Sequence, residues 1–268
     1  MNSPLSILQS YADAFRELVN ARVQGGNEPP WKGLRLNDQS DWEFICVAMD
    51  VVGDAALALG SFLRFSLDGP TRYDDVGEKY LRLYGLLSAA YIQQEAVLKL
   101  YKLMNCPKPK EVQTELNELE IRTLRHQAAS HSVDCLPPDG GKTQAFVPVR
   151  IGLSGFSCMI TEGRGNQTKS IQLDDAVNAH CTVVTSILDR IYEKSIQTLF
   201  RGRDNQIGEF KKKLEDLRFV RDGNMLIRGG NQTNPVEIRI AFVAPQTSSR
   251  PQEHGPVKRK TVPKKKNA

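Results

Sequence analysis

Arg125, His126 and His131 place one guanidinium and two imidazoles within seven residues of a chain that has only four histidines. An arginine presents a fixed, planar array of donors that matches phosphate oxygens. A histidine titrates near neutrality, so it can take or give a proton. Together these groups suffice, without a metal or cofactor, to cleave a phosphodiester that uses a ribose 2′-hydroxyl as nucleophile. Histidine would deprotonate that hydroxyl or protonate the leaving oxygen. Arginine would stabilise the charge that builds on the phosphorane-like transition state. A 2′,3′-cyclic phosphate is the expected product, and DNA should not be cut. The neighbours Ala128, Ala129 and Ser130 are small, which leaves room for a substrate backbone or a second chain.

Geometry attaches a condition. Six residues along a regular α-helix correspond to a rotation of roughly 240°, at ~100° per residue. Arg125 and His131 therefore share one face only if the helix ends, kinks or unwinds between them, or if a second subunit completes the site. The polar run Ser130-His131-Ser132 and the Pro137-Pro138 stop predict an ending near His131. Other chemistries have less support. The five cysteines (Cys46, Cys106, Cys135, Cys158, Cys181) are widely spaced, with no CxxC, which argues against a disulfide framework or a structural zinc site. The remaining histidines, His180 and His254, leave no HExxH or clustered zinc-ligand pattern, so no metal is expected.

The elements that must position this cluster are mostly helical. Leu8, Tyr11, Ala12, Phe15, Leu18 and Val19 mark a first helix over Leu5 to Val23. Asp38 or Ser40 caps a second, from about Asp41 to Phe65, rich in Ala and Gly and ended by Asp68-Gly69-Pro70. A third runs from Asp74 or Asp75 to Met104, with Tyr80, Leu83, Leu87, Ala90, Val97 and Tyr101 in a stripe broad enough for burial on more than one side. A fourth starts near Pro109 or Glu111, carries Val112, Leu116, Leu119, Ile121 and Leu124, and runs into the Arg125–His131 cluster.

The period then shortens to two. Val147, Val149 and Ile151, then Phe156, Cys158 and Ile160, alternate with other residues, predicting an antiparallel meander that ends at Ile171 to Leu173. Asp174 or Asp175 caps a long helix that bears His180, Val184, Ile187 and Ile191 and continues past Gly202 to about Glu215. Phe219 to Arg221 and Met225 to Arg228 flank Asp222-Gly223-Asn224 as a hairpin, and Val236 to Phe242 forms a last strand. The two β regions are expected to join in one sheet on the helical bundle. Gly163-Arg164-Gly165 and Gly229-Gly230-Asn231 read as hairpin loops, since neither opens a helix after a strand. His180 reads as a satisfied core histidine, and as a supporting partner if it faces the Arg125 cluster. Tyr80, Tyr84, Tyr91 and Tyr101 read as core edge.

The 268 residues are 40% apolar and 25% charged, enough for one large domain over residues 1–243, with a β insertion at about 143–173 and C-terminal strands at about 217–243. The longest uncharged stretch in the apolar middle, Ala55 to Leu63, is too short to span a membrane, and the N-terminus lacks a secretory pattern, so a cytoplasmic protein is expected. Seven basic residues from Pro245 onward against the single acid Glu253 give the tail +6; within a total of +5, the body carries −1. Residues 244–268 have too little apolar content for a core and are expected to be disordered. Lys258, Arg259, Lys260, Lys264, Lys265 and Lys266 form a solubilising end, a salt-sensitive handle for nucleic acid, or an import-like signal.

Arg, a polar residue and then His131 five residues beyond Arg125, at the end of a helix within an α-bundle, resembles the Rx4–6H motif of HEPN domains. The stretch YLRLYGLLSAAYIQQEAV is similar to the helix that precedes this motif in a group of bacterial HEPN-like proteins, and the helix from Asp174 would follow it. The resemblance covers roughly Asp74 to Leu199, interrupted by the β insertion. It implies a mainly α, HEPN-like bundle and a metal-independent endoribonuclease acting on RNA, in a toxin–antitoxin, anti-phage or RNA-processing setting. It also implies a homodimer whose two motifs face one groove. Arg125 and His131 would be the catalytic pair, His126 the polar position that assists, Glu95 the acidic residue from an earlier helix, and Ser130 a supporting hydroxyl. Asn is common after the arginine in that family; His126 stands there in this chain. Other HEPN domains are inactive, so the resemblance equally admits a non-catalytic interaction or nucleic-acid-binding protein, or a subunit of a defence complex with an antitoxin or other partner protein.

Overall fold

The structure, a computed structural model, describes residues 2–24, 28–71, 73–136, 141–163, 167–231 and 234–242. Helix α1 (Pro4–Val23) is opened by Ser3, whose Oγ accepts the Ser6 amide at 3.2 Å, and by Pro4, which lacks an N–H to satisfy. One short turn, α2 (Pro30–Gly33), leads to α3 (Gln39–Phe65), capped by Asp38, which accepts the Ser40 and Asp41 amides at 2.9 and 3.1 Å. Helix α4 (Val76–Leu103) is capped by Asp75 through the Gly77 amide at 2.7 Å. It lies antiparallel to α3: Gln93 Nε2 donates to the Val52 carbonyl at 2.7 Å, and Arg82 Nη2 to the Ser61 carbonyl at 3.2 Å. Small buried residues on α3 (Ala48, Ala55, Ala56) permit that close pairing.

The predicted fourth helix is three pieces. Helix α5 (Pro109–Asn117) stops, Leu119 takes an extended conformation, and α6 (Glu120–Arg125) passes into a π-helical turn, His126–Ser130. The bend at Leu119 lets Leu119 and Ile121, two residues apart, both turn into the core.

Strands β1 (Phe146–Ser154), β2 (Ser157–Glu162) and β3 (Gln167–Gln172) form the expected antiparallel meander in the order β1-β2-β3. Leu153, Cys158, Ile160 and Ile171 face inward and are buried. The β1–β2 register shifts between Pro148 and Leu153. Gly152 makes the irregularity possible, because a Cβ there would sit 2.4 Å from that of Met159. The sheet is tied to the α3–α4 pair by the Tyr80 hydroxyl on the Pro148 carbonyl (3.0 Å), the Leu67 amide on the Gly155 carbonyl (3.0 Å) and an edge contact between Phe62 and Phe156.

Helix α7 (Leu173–Leu199) begins with Gln172 rather than an aspartate as its cap; Asp174 and Asp175 occupy its first turn, where the helix dipole favours them. The predicted continuation past Gly202 is instead a separate helix, α8 (Asp204–Arg221): Gly202 has φ of +82° and reverses the chain. Consequently Phe219 to Arg221 is helical, not a strand, and Asp222-Gly223-Asn224 links α8 to β4 (Met225–Asn231), with Gly223 at φ of +87°. The hairpin pairs β4 with β5 (Asn234–Ile240), so Gly229-Gly230-Asn231 lies in a strand and not in a loop.

The two β regions form separate sheets among the described residues, not one. The meander docks on α3 and α4. The hairpin is held to α8 by ion pairs from Arg228 and Arg239 to the buried Asp216 carboxylate. Between α1, α7 and α8, the Asp189 carboxylate is buried and accepts from the Tyr11 hydroxyl (2.9 Å), Arg218 Nε and Nη2 (2.9 and 2.6 Å) and Arg221 Nη1 (3.1 Å). Burial pushes this carboxyl up. The hydrogen bonds from Arg218 and Tyr11 and the two guanidinium charges outweigh that and hold it below its ordinary value.

The fold is therefore mainly helical, with a small three-stranded sheet and a two-stranded hairpin. The five cysteines are unpaired. By length and composition alone one helix among the described residues, α3, is apolar enough to cross a membrane. Counting uncharged residues did not show it, because Asp50 and Asp54 interrupt the stretch without making it polar overall. The Pro137-Pro138 stop, the Arg164–Asn166 turn and the tail cations Lys258, Arg259, Lys260, Lys264, Lys265 and Lys266 lie outside the described residues.

Candidate active site

Helix α6 carries two arginines one turn apart, and their surroundings differ sharply. Arg122 is buried: its Nη1 donates to Gln94 Oε1 at 3.0 Å and its Nη2 to Glu95 Oε1 at 2.9 Å. Arg125 is half-buried, and its guanidinium carbon lies 3.6 Å from the centre of the Tyr91 ring, with Arg122 4.8 Å from the same ring. This cation–π contact holds the Arg125 guanidinium without using its N–H groups. Among the described residues, no hydrogen bond or carboxylate occupies them. The result is a positioned fork of donors open to an incoming anion.

After Arg125 the helix widens. The His131 amide donates to the His126 carbonyl at 2.8 Å, a bond spanning five residues. This stacks residues five apart along the chain, so the His126 and His131 rings face each other at 5.8 Å with 29° between their planes. A π-helical turn does lie between Arg125 and His131. It brings the His126 and His131 rings together, while Arg125, the residue just before it, lies on Tyr91.

The two imidazoles have different environments. His126 is half-buried, and burial first, then the charges of Arg125, Arg122 and His131, push its pKa below the ordinary histidine value. It is neutral at pH 7 and able to accept a proton. His131 is exposed, with Nδ1 3.4 Å from Asp134 Oδ1. Ser130 is exposed at the last position of the turn.

Glu95 is not paired with Arg125; it pairs with Arg122, one helical turn earlier. Behind it runs a chain of buried amides. Gln94 Nε2 lies 3.2 Å from His180 Nδ1, and His180 Nε2 lies 2.7 Å from Gln93 Oε1. Since Gln94 Oε1 already accepts from Arg122, its amide nitrogen faces the histidine. Nδ1 is then the acceptor, and the His180 proton sits on Nε2. His180 is thus a satisfied core histidine that also connects, through Gln94, to Arg122. Burial holds its pKa down at about 4.

Sequence reasoning missed Arg122, Tyr91, Gln93 and Gln94 as parts of this arrangement. Two signals were available. Arg122 and Arg125 are three apart, hence on one face. Gln93-Gln94 interrupts the apolar stripe of α4, and paired amides on a buried stripe require partners. Among the described residues no group of three His, Cys, Asp or Glu side chains is placed to hold a metal ion.

No family model, curated protein or solved structure matches this chain. Function is therefore argued from the geometry of the site.

Proposed function

We propose that this chain is a HEPN-type, metal-independent endoribonuclease that works as a homodimer, with Arg125, His126 and His131 as its catalytic residues. The observation that carries the reading is the Arg125 guanidinium over the Tyr91 ring, without a hydrogen-bond partner among the described residues, directly preceding the turn that pairs the His126 and His131 rings. In the reaction, neutral His126 takes the proton from a ribose 2′-hydroxyl as that oxygen attacks phosphorus. The bond from phosphorus to the 5′-oxygen breaks, and His131 gives that oxygen a proton. Arg125 neutralises the extra negative charge on the pentacovalent phosphorus. The products are a 2′,3′-cyclic phosphate and a 5′-hydroxyl.

Exposed apolar side chains on α4 support the dimer. Leu81, Tyr84 and Ile92 fall on one side of that helix and are each at least 40% exposed, so a second copy packed there would bury them. By the resemblance, such an enzyme is a cytoplasmic toxin or anti-phage effector, with an antitoxin or defence-system protein as a further partner.

His131→Ala should abolish RNA cleavage while circular dichroism and light scattering show the same fold and oligomer. Undiminished cleavage by that variant would remove the catalytic assignment. One observation favours a second reading, a non-catalytic interaction module. Met225, Ile227, Ile238 and Ile240 line one exposed face of the β4–β5 hairpin, and a two-stranded ribbon in water gains stability from being covered. Under that reading, wild type would show no cleavage and cross-linking would map to the hairpin.

A further inference from the structure

The inward face of the meander changes character along its length. Cys158, Ile160 and Ile171 are buried against the helices. In register on the same face, the next positions are Glu162 on β2, opposite Phe146 on β1, and Lys169 on β3, opposite Ile160. This polar end does not face open solvent alone. The Phe146 amide donates to the Ser132 carbonyl at 2.6 Å, and a backbone bridge joins Cys135 to Gln144. Both contacts draw the sheet up to the segment that follows the π-helical turn. Between them lies a cleft of about 300 Å³, lined by Gln127, Gln144, Phe146, Ile160, Glu162 and Lys169. Gln127 directly follows His126, so the cleft adjoins the candidate catalytic turn.

The lining is an apolar floor with convergent polar groups, the pattern of a small planar ligand site. The half-buried Phe146 ring offers the floor, with the buried Ile160 behind it. Among the described residues, the Glu162 carboxylate and the side-chain amides of Gln127 and Gln144 have no hydrogen-bond partner. Lys169 donates to Glu120 Oε1 at 2.5 Å, which leaves two of its three N–H groups. A carboxylate presents two acceptors side by side. Among the four RNA bases only guanine presents two adjacent donors, at N1 and N2, next to an acceptor, O6. A lysine or a glutamine amide satisfies O6 and N7.

We propose that this cleft is a nucleobase pocket selective for guanine, which seats one base of a single-stranded RNA beside the His126–His131 pair. Glu162 accepts from N1 and N2, Lys169 or Gln127 donates to O6, and the ring lies on Phe146. The inserted meander is then the specificity element of the protein. The assignment rests on the RNA-cleaving reading for its biological use, but the pocket is testable without catalysis.

The probes are four fluorescein-labelled pentaribonucleotides, UU-X-UU, with X each of the four bases and 2′-O-methyl groups throughout to block cleavage. Binding to the full-length chain is measured by anisotropy. The guanine pentamer should bind at least about tenfold more tightly than the other three. Glu162→Gln should reduce that preference to threefold or less and leave the affinity for the all-uridine pentamer unchanged. Gln127→Ala should weaken the preference in part, which guards against a Glu162→Gln chain that fails to fold. Wild type binding all four within threefold, binding none, or keeping its preference in Glu162→Gln would overturn the pocket. Parallel digestion of unmodified RNA separates the two claims. Guanine preference without cleavage refutes the catalytic reading alone, and cleavage without base preference refutes the pocket alone.

Discussion

The buried chain from Val52 through Gln93, His180 and Gln94 to Arg122 makes a quantitative prediction about pH. His180 is fully buried, and both its ring nitrogens are occupied by glutamine amides whose own remaining atoms are committed to Val52 and Arg122. A second proton would have to sit on Nδ1, facing an amide nitrogen. The folded imidazole therefore titrates at about 4, against 6.5 when unfolded. Above pH 6.5 both states are neutral and the group contributes no pH dependence. Below 6.5 the unfolded chain gains a proton that the folded chain refuses, so stability falls with pH and levels off near pH 4. Each unit is worth 1.36 kcal/mol, so the loss approaches about 3 kcal/mol by pH 4. The assay is urea unfolding from pH 7.5 to 4 for wild type and for His180→Gln, whose amide can still donate to Gln93 and accept from Gln94. Carboxylates titrate in both proteins, so the difference between the two curves isolates His180. Parallel curves would refute the argument and show that His180 is not locked in its neutral form.

Three further outcomes follow from the geometry. Asp189→Asn should destabilise by about 1–2 kcal/mol, because it removes a buried carboxylate that accepts from Tyr11 and from the half-exposed Arg218 and Arg221, read as a lower melting temperature at neutral pH. Because that carboxyl is held below its ordinary value, the wild-type advantage is full above pH 4 and disappears as pH falls through the folded pKa. Gly152→Ala should cost about 1–3 kcal/mol in the same measurement, since its methyl meets Met159 at the strand irregularity. Deleting residues 245–268 should leave the melting temperature unchanged and flatten the salt dependence of RNA binding by about 0.7 per lysine or arginine in contact. An unchanged salt slope would remove the tail from the binding surface.

The parts of the fold legible in the sequence are those with strong local signals. Asp38 and Asp75 announce two helices by capping chemistry, and the apolar residues of these and of the first helix repeat at three- and four-residue steps. The meander shows in its period of two. What escaped depends on tertiary partners or on small breaks. Leu119 and Ile121 are both buried because the chain bends between α5 and α6, and a continuous reading of the leucines hides that bend. Gly202 looked tolerable inside a helix, yet its left-handed conformation ends one. That the hairpin and meander sit on different helices is set by Asp216 and by Tyr80, whose partners are distant in sequence. At the site, residue types singled out Arg125, His126 and His131. Only coordinates could show that Glu95 serves Arg122 instead, or that Tyr91 is a platform for a guanidinium.

The most direct test of the central claim is to map RNA ends after incubation with the wild-type protein and with Arg125→Ala in excess EDTA. The account predicts 2′,3′-cyclic phosphates and 5′-hydroxyls from the wild type and none from the variant. Intact RNA with the wild type, 3′-hydroxyl ends, or equal cutting by Arg125→Ala would contradict it.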